Sequence, residues 1–282
     1  MFAVGPHTIF SNNTAEFAVN YGELALPWLL RAIAINWLIL VAIGCVLALI
    51  AEQAARLYAA AGREADVALA RYWLAYGLYQ SDNEIDARSV LTALLEQVRG
   101  GLVVEPDFEM RLLTSLAAVE SRAGQASRAL TYLEEARGMA ADLDDRRRAA
   151  FLFNLAINYR QVGDFEAAIR AGTQGMALYR AAGAIFESAR IENDLALAYL
   201  ATGQVDRARD LAADARRQIE ETGDERWMAA VVDTEAQVAL AAGEIDEALR
   251  LATSARESAS RSGNEFNGLM AMLTEARALR AA

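Results

Sequence analysis

Residues 154–168 read NLAINYRQVGDFEAA and hold the clearest copy of a unit that recurs about every forty residues. The copy begins with a largely apolar stretch, turns at Gly163 and continues with a stretch that opens on acidic and alanine residues. Glycine can end a helix in a left-handed conformation without a steric penalty, so this order predicts a helical hairpin. A fixed period of this kind is typical of architectures in which hairpins stack side by side.

The repeats align on two alanines and the turn between them. The first alanine is in the first helix of each unit: Ala75, Ala117, Ala156, Ala196, Ala236 and Ala276. The second follows twelve residues later in five units: Ala87, Ala129, Ala168, Ala208 and Ala248. The turn residue lies between them: Asp82, Gly124, Gly163, Gly203 and Gly243. Antiparallel helices that cross at close range need small side chains at the crossing, which explains both alanine positions.

The pattern resembles the tetratricopeptide repeat. The third unit matches that motif at Leu155-Ala156, Tyr159, Gly163 and Ala168. The fourth unit matches it at the equivalent positions, Leu195-Ala196, Tyr199, Gly203 and Ala208. The first unit lacks the turn glycine, and Glu120 and Ala239 replace the aromatic residue in the second and fifth.

The resemblance implies an all-α fold over residues 63–282. We expect an α-solenoid of about five tetratricopeptide-like hairpins followed by a C-terminal capping helix. The period exceeds the usual ~34 residues, so the helices should be longer than in the common form of the repeat.

Composition excludes several kinds of chemistry. The chain has 282 residues and a formal net charge of −11, which argues against nucleic acid as a partner because phosphate binding needs clustered cations. Cys45 and His7 are the single cysteine and histidine, and no phosphate-binding loop or zinc-protease motif is present. We therefore expect no enzyme activity, no metal and no cofactor.

Residues 32–51 are apolar or small, with Asn36 as the one strongly polar side chain, and none is charged. Twenty helical residues at ~1.5 Å each cross the ~30 Å hydrocarbon core of a bilayer. A cleaved signal peptide and a buried helix of a soluble protein are the alternatives, and they fit the acidic preceding segment and the length less well. We predict a non-cytoplasmic segment at 1–24, a transmembrane helix with its junction at 25–62, and the solenoid at 63–282.

Three further expectations follow for this span. Asn36 and Gly44 would pack against neighbouring transmembrane helices. Arginines are more frequent after the span than before it, so the solenoid should be cytoplasmic and the N-terminus outside. Gly62 precedes Ala75 by the same thirteen residues that separate Gly183 from Ala196, which indicates that the span continues into the solenoid without a linker. The alternative is that Gly62 is an ordinary helix terminator.

The resemblance also implies a ligand groove lined by the first helix of each hairpin. By register, these residues are predicted to line it: Tyr72, Tyr76, Tyr79, Arg111, Arg122, Asn154, Arg160, Arg190, Asn193, Asp233 and Gln237. Arginine and tyrosine are frequent in interaction hot spots. The alternative for the tyrosines is that they pack the first repeat against the membrane-proximal helix. The carboxylate clamp of some tetratricopeptide proteins uses lysine, and this chain has none.

These observations favour a membrane-anchored scaffold or accessory subunit of a membrane protein complex. Its expected partners are other proteins and the lipid bilayer. A sensor or regulatory repeat protein of bacterial signalling is the alternative, and a fragment of a larger membrane enzyme is another.

Overall fold

The computed structural model describes residue 46, residues 48–105 and residues 107–282. Twelve α-helices lie in these ranges, and no strand does. The first, α1, is described over residues 48–60. The others are α2 (Glu64–Gln80), α3 (Glu84–Arg99), α4 (Phe108–Arg122), α5 (Ala126–Ala136), α6 (Asp145–Gln161), α7 (Phe165–Ala181), α8 (Ile185–Ala201), α9 (Val205–Thr222), α10 (Glu225–Ala241), α11 (Ile245–Ser262) and α12 (Glu265–Ala281). A short 3₁₀ helix, Met139–Asp142, follows α5.

The helices form five hairpins that stack in chain order and end on α12. Each first helix (α2, α4, α6, α8, α10) packs against the second helix that follows it, and each second helix packs against the next first helix. Five helices begin at a side chain that accepts a backbone N–H of the first turn, and the capping residues are Asn83, Asp144, Asp164, Asp224 and Asn264. Such caps satisfy N–H groups that have no partner inside the helix.

The alanine alignment is confirmed by burial. Each alanine of the five predicted crossing pairs is at most 2% exposed. The sixth first-helix alanine, Ala276 of α12, is exposed, and none of the described helices covers it. Helix crossing, rather than helix propensity, therefore accounts for the repeat of alanine.

The turn positions share one backbone conformation. Gly163 has φ of +87°, and Asp82, which replaces glycine in the first hairpin, has φ of +56°. Aspartate tolerates this left-handed region better than most residues with a side chain. The first hairpin thus keeps the turn without the glycine.

Gly62 takes the backbone conformation that Gly183 takes between repeats, and the continuity of the predicted span with the solenoid stays a prediction. Gly62 has φ of +69° and Gly183 has φ of +65°, so α1 and α7 end in the same left-handed turn. The described part of α1 therefore enters the first hairpin through the turn that joins consecutive repeats.

The predicted transmembrane span lies mostly outside the described residues. Of residues 32–51, the structure describes 46 and 48–51; the segment 1–24, Asn36 and Gly44 are outside it. Ala51 is 7% exposed, whereas Leu49 and Ile50 are more than half exposed. In the part of the chain that is described, no helix combines the length and apolarity needed to cross a membrane.

Candidate protein-interaction face

First helices of neighbouring hairpins also contact one another. Direct packing joins α6 with α8, α8 with α10, and α10 with α12, and side chains join α2 with α4. We call the surface formed by α2, α4, α6, α8, α10 and α12 the first-helix face. All eleven residues predicted for the groove belong to these helices.

At the start of the face, four of the predicted residues form two arginine–tyrosine pairs. The Tyr72 hydroxyl lies 3.2 Å from the Ser115 hydroxyl, and the Arg111 guanidinium lies 4.7 Å from the centre of the Tyr72 ring. Arg122 lies over the Tyr79 ring, and Arg111 also donates to Glu105 at 2.5 Å. These contacts connect α2 to α4 and therefore join the first two hairpins.

Two aromatic side chains remain open on α2. Tyr76 is 42% exposed and Trp73 is 54% exposed, and their rings meet edge to face at 5.7 Å. Trp73 is not among the residues predicted for the groove. Its place beside Tyr72 and one turn before Tyr76 was the available signal, since helical residues three or four apart share a face.

In the middle of the face, Arg160 of α6 is paired with a buried acid. Its Nη2 lies 2.7 Å from Asp194 Oδ1 of α8. Burial raises the pKa of Asp194 above its ordinary value, while the charge of Arg160 and its hydrogen bond act in the opposite direction. Asn154 is exposed on the same helix as Arg160. Arg160 therefore connects repeats, and Asn154 remains open to solvent.

Arg190 of α8 is held by aromatic rings. Its guanidinium carbon lies 4.7 Å from the centre of the Trp227 ring, 5.2 Å from that of Phe153 and 5.8 Å from that of Phe186. Its Nε is buried and has no hydrogen-bond partner among the described residues. Burial lowers the pKa of the Arg190 guanidinium, an effect that Tyr179 and Glu187 partly offset.

Two more buried polar groups without hydrogen-bond partners lie on the first-helix face, one on α8 and one on α10. Asn193 is 8% exposed and Asp233 is 5% exposed, and Oδ1 of each has no hydrogen-bond partner in the described ranges. The other oxygen of Asp233 accepts from Gln237 at 2.8 Å. Burial raises the pKa of Asp233, whereas Thr274, Gln237 and the charge of Arg277 lower it. Buried polar groups are normally paired, so these oxygens mark positions where the fold alone does not explain the side chain.

A buried carboxylate, Glu192, connects α8 to its two neighbouring helices. Glu192 is fully buried and accepts from Ser188 at 2.7 Å, from Arg180 Nε at 3.0 Å and from Gln218 at 2.6 Å. These contacts join α7, α8 and α9. Glu192 was not predicted from the sequence. Three polar residues in succession, 192–194, inside an apolar helix were the signal, because they cannot all face solvent.

No group of three or more histidine, cysteine, aspartate or glutamate side chains that could hold a metal ion occurs among the described residues. Asp194 is paired with Arg160, and Oδ2 of Asp233 accepts from Gln237. The polar side chains of the first-helix face can form hydrogen bonds and ion pairs with a ligand.

Comparison with known proteins supports the repeat assignment. A sequence model described as tetratricopeptide repeat matches residues 108–181, which cover α4 to α7. No curated protein is significantly similar to the chain.

Solved structures share the fold at low sequence identity. BtubC (BKLC) from P. vanneervenii is 20% identical with a TM-score of 0.63, over 81% of this chain and 92% of that one. Aspartyl phosphate phosphatase F from Bacillus subtilis is 13% identical with a TM-score of 0.64, over 78% and 58% of the two chains. The Rap conjugation gene regulator of the plasmid pLS20, in complex with the Phr* peptide, is 12% identical with a TM-score of 0.59, over 73% and 57%. At these identities the likeness concerns the fold alone, and the chain is an all-helical repeat protein with a tetratricopeptide-like solenoid.

Proposed function

We propose that this chain is a membrane-anchored adaptor that binds segments of partner proteins on its first-helix face. It would act as a scaffold or accessory subunit of a membrane protein complex, without catalytic activity of its own. The observation that carries the proposal is the pair of buried, unpartnered oxygens on Asn193 and Asp233. These residues occupy the same register position in consecutive repeats, forty residues apart.

The spacing of the helices that carry these oxygens suits an extended peptide. Helices in contact lie ~8–10 Å apart, which is close to the rise of three residues of extended chain at ~3.3 Å each. Both side chains are buried, so a segment would reach these oxygens when the side chains turn outward, and its backbone N–H groups could then pair with both. The solved complex of the Rap regulator with the Phr* peptide supports the idea that a fold of this type accepts a peptide.

The exposed aromatic pair adds a second contact area. Trp73 and Tyr76 present apolar rings with polar edges at the first hairpin, and such residues dominate many interfaces. A partner that spans the face would contact polar groups on α8 and α10 and aromatic groups on α2.

The membrane anchor rests on residues 32–51. Their lack of charge favours a single pass, and the arginines that follow favour a cytoplasmic solenoid with the N-terminus outside. We expect the full chain to stay in the membrane pellet during alkaline carbonate extraction. A variant with Leu38→Arg and Val41→Arg should be released, and release of the unaltered chain would refute the anchor.

Partner binding is tested by purification from native membranes in mild detergent. We expect a stoichiometric partner with the unaltered chain and its loss when Asn193→Ala and Asp233→Ala are combined. The exposed Asp210→Asn is the control and should retain the partner. A clean monomer under the same conditions would refute the adaptor.

A regulatory protein that responds to a peptide is the second candidate. It is favoured by the likeness to the Rap conjugation gene regulator. It would bind a free peptide and need no stoichiometric membrane partner. Retention of peptide binding together with release from membranes would select it over the adaptor.

A further inference from the structure

Arg190 differs from the other arginines predicted for the groove. Arg111 pairs with Glu105, Arg122 with Asp82, and Arg160 with Asp194, each within 3.2 Å. For Arg190, no carboxylate lies within ion-pair distance in the described part of the chain. The nearby acid, Glu187, is bound to Arg146 at 2.5 Å. Arg190 therefore keeps a positive charge that the fold does not neutralise.

Aromatic rings fix the position of that charge. The rings of Trp227, Phe153 and Phe186 come from α10, α6 and α8, so three helices of the face hold one guanidinium. Stacking satisfies its flat surface but leaves its N–H groups in need of acceptors, and Nε has none. A guanidinium that is already oriented loses little freedom when it binds a planar acceptor.

The neighbouring groups define a small constellation. Of five buried side-chain atoms without a partner in the described chain, three belong to Arg190, Asn193 and Asp233. Arg190 and Asn193 are three residues apart on α8, and so share a face of the helix. The constellation offers one cationic donor group and two oxygen acceptors. A peptide supplies the complement of both: a carboxylate for the donor and backbone N–H groups for the acceptors.

We propose that Arg190 is an anchor for a carboxylate carried by the bound peptide segment, so that the adaptor selects acidic partners. This inference rests on the proposed function, because it names the chemistry of the segment that binds there. The net charge of −11 disfavours an acidic segment at long range. At physiological ionic strength exposed charges beyond ~8 Å are largely screened, so contact with Arg190 decides the preference.

The test is a selection of random decapeptides displayed on phage with blocked C-termini. The bait is the full chain in mild detergent, compared with Arg190→Gln and with Arg128→Gln as the matched control. Arg128 is exposed on the second helix α5 and its change alters the net charge equally. We expect enrichment of aspartate and glutamate with the unaltered chain and with Arg128→Gln, and loss of that enrichment with Arg190→Gln.

A second arm leaves the protein unchanged, so it holds even where Arg190→Gln does not fold. Synthetic copies of a selected decapeptide carry glutamate or glutamine at the enriched position, and an amidated or free C-terminus. We expect the change to glutamine to weaken binding by about tenfold or more, as for loss of a charged hydrogen-bond partner. Affinity that depends on the free C-terminus and not on that glutamate would show that the chain end is bound, and would overturn the selection of acidic side chains.

The outcomes separate the two proposals. Peptides selected without acidic enrichment, or with equal enrichment on Arg190→Gln that folds normally, would overturn the anchor and leave peptide binding intact. Selection of no peptide by the unaltered chain would overturn the proposed function and the anchor together.

Discussion

The Arg122 guanidinium lies 3.4 Å from the centre of the Tyr79 ring, and its Nη1 donates to the Tyr79 carbonyl oxygen at 2.6 Å. One side chain of the second hairpin thus covers the ring and caps the C-terminal end of α2. Both residues were predicted as ligand contacts, and here each is the partner of the other.

The first prediction concerns this pair. Arg122→Lys keeps the charge but loses the planar group and the fixed direction of its N–H bonds, so we expect it to lower stability by ~1 kcal/mol. Thermal unfolding followed by circular dichroism measures the change. In a double-mutant cycle with Tyr79→Leu, the two effects should be non-additive. Simple additivity would show that the contact contributes nothing.

The second prediction uses the alanine register. Ala156 is 1% exposed at a helix crossing, so Ala156→Trp should lower stability by ~1–3 kcal/mol or more through overpacking. Ala276→Trp is the matched control, because it occupies the same register position but is exposed. Similar melting temperatures for the two variants would contradict the hairpin alignment.

The third prediction concerns the buried carboxylate of Glu192. Glu192→Ala removes the acceptor of three side chains and leaves a cavity between α7, α8 and α9. We expect a loss of ~2–4 kcal/mol, measured by denaturant unfolding. The exposed Glu221→Ala on α9 should stay within ~0.5 kcal/mol of the unaltered chain. An equally small effect for Glu192→Ala would show that the network is dispensable.

The fourth prediction is a pH dependence at Asp233. Its pKa is raised by burial, so between the ordinary value of ~3.9 and the raised value the folded state binds more protons than the unfolded state. Stability attributable to this group therefore falls as the pH rises through that window. Asp233→Asn should raise the melting temperature at pH 7 and have a smaller effect near pH 4. An equal effect at both pH values would contradict this account.

An ionised Asp233 thus lowers the stability of the fold at neutral pH. Residues of this kind are common at functional sites, where stability and activity compete. The raised pKa of Asp233 and its unpartnered oxygen both follow from the burial of this carboxyl group on α10.

The repeat register could be predicted from sequence because its cause is local. A crossing needs alanine and a turn needs a left-handed residue, and both recur at fixed spacing within one hairpin. Even the exception at Asp82 occupied the expected position and conformation.

Contacts between hairpins could not be predicted in the same way. Tyr79 and Arg122 are forty-three residues apart, and whether they meet depends on the stagger of one repeat against the next. The sequence identified the residues of the face but not which of them bind each other. Arg190 has no carboxylate partner in the described part of the chain, whereas Arg160 is paired with Asp194.

The C-terminal end of the predicted transmembrane span could not be located from the sequence. Because Gly62 corresponds to Gly183, residues 44–60 correspond to the helix Phe165–Ala181. The last eight residues of the predicted span therefore coincide in register with a helix that packs inside the stack. Small apolar residues suit both a bilayer and a helix crossing, so composition alone cannot locate the boundary between them.

Partner segments are proposed to bind on the first-helix face. Hydrogen–deuterium exchange of the full chain, with and without a decapeptide selected on it, tests this claim most directly. We predict slower exchange in Ile185–Ala201 and Glu225–Ala241, with α7, α9 and α11 unchanged. Protection confined to those second helices would contradict the claim.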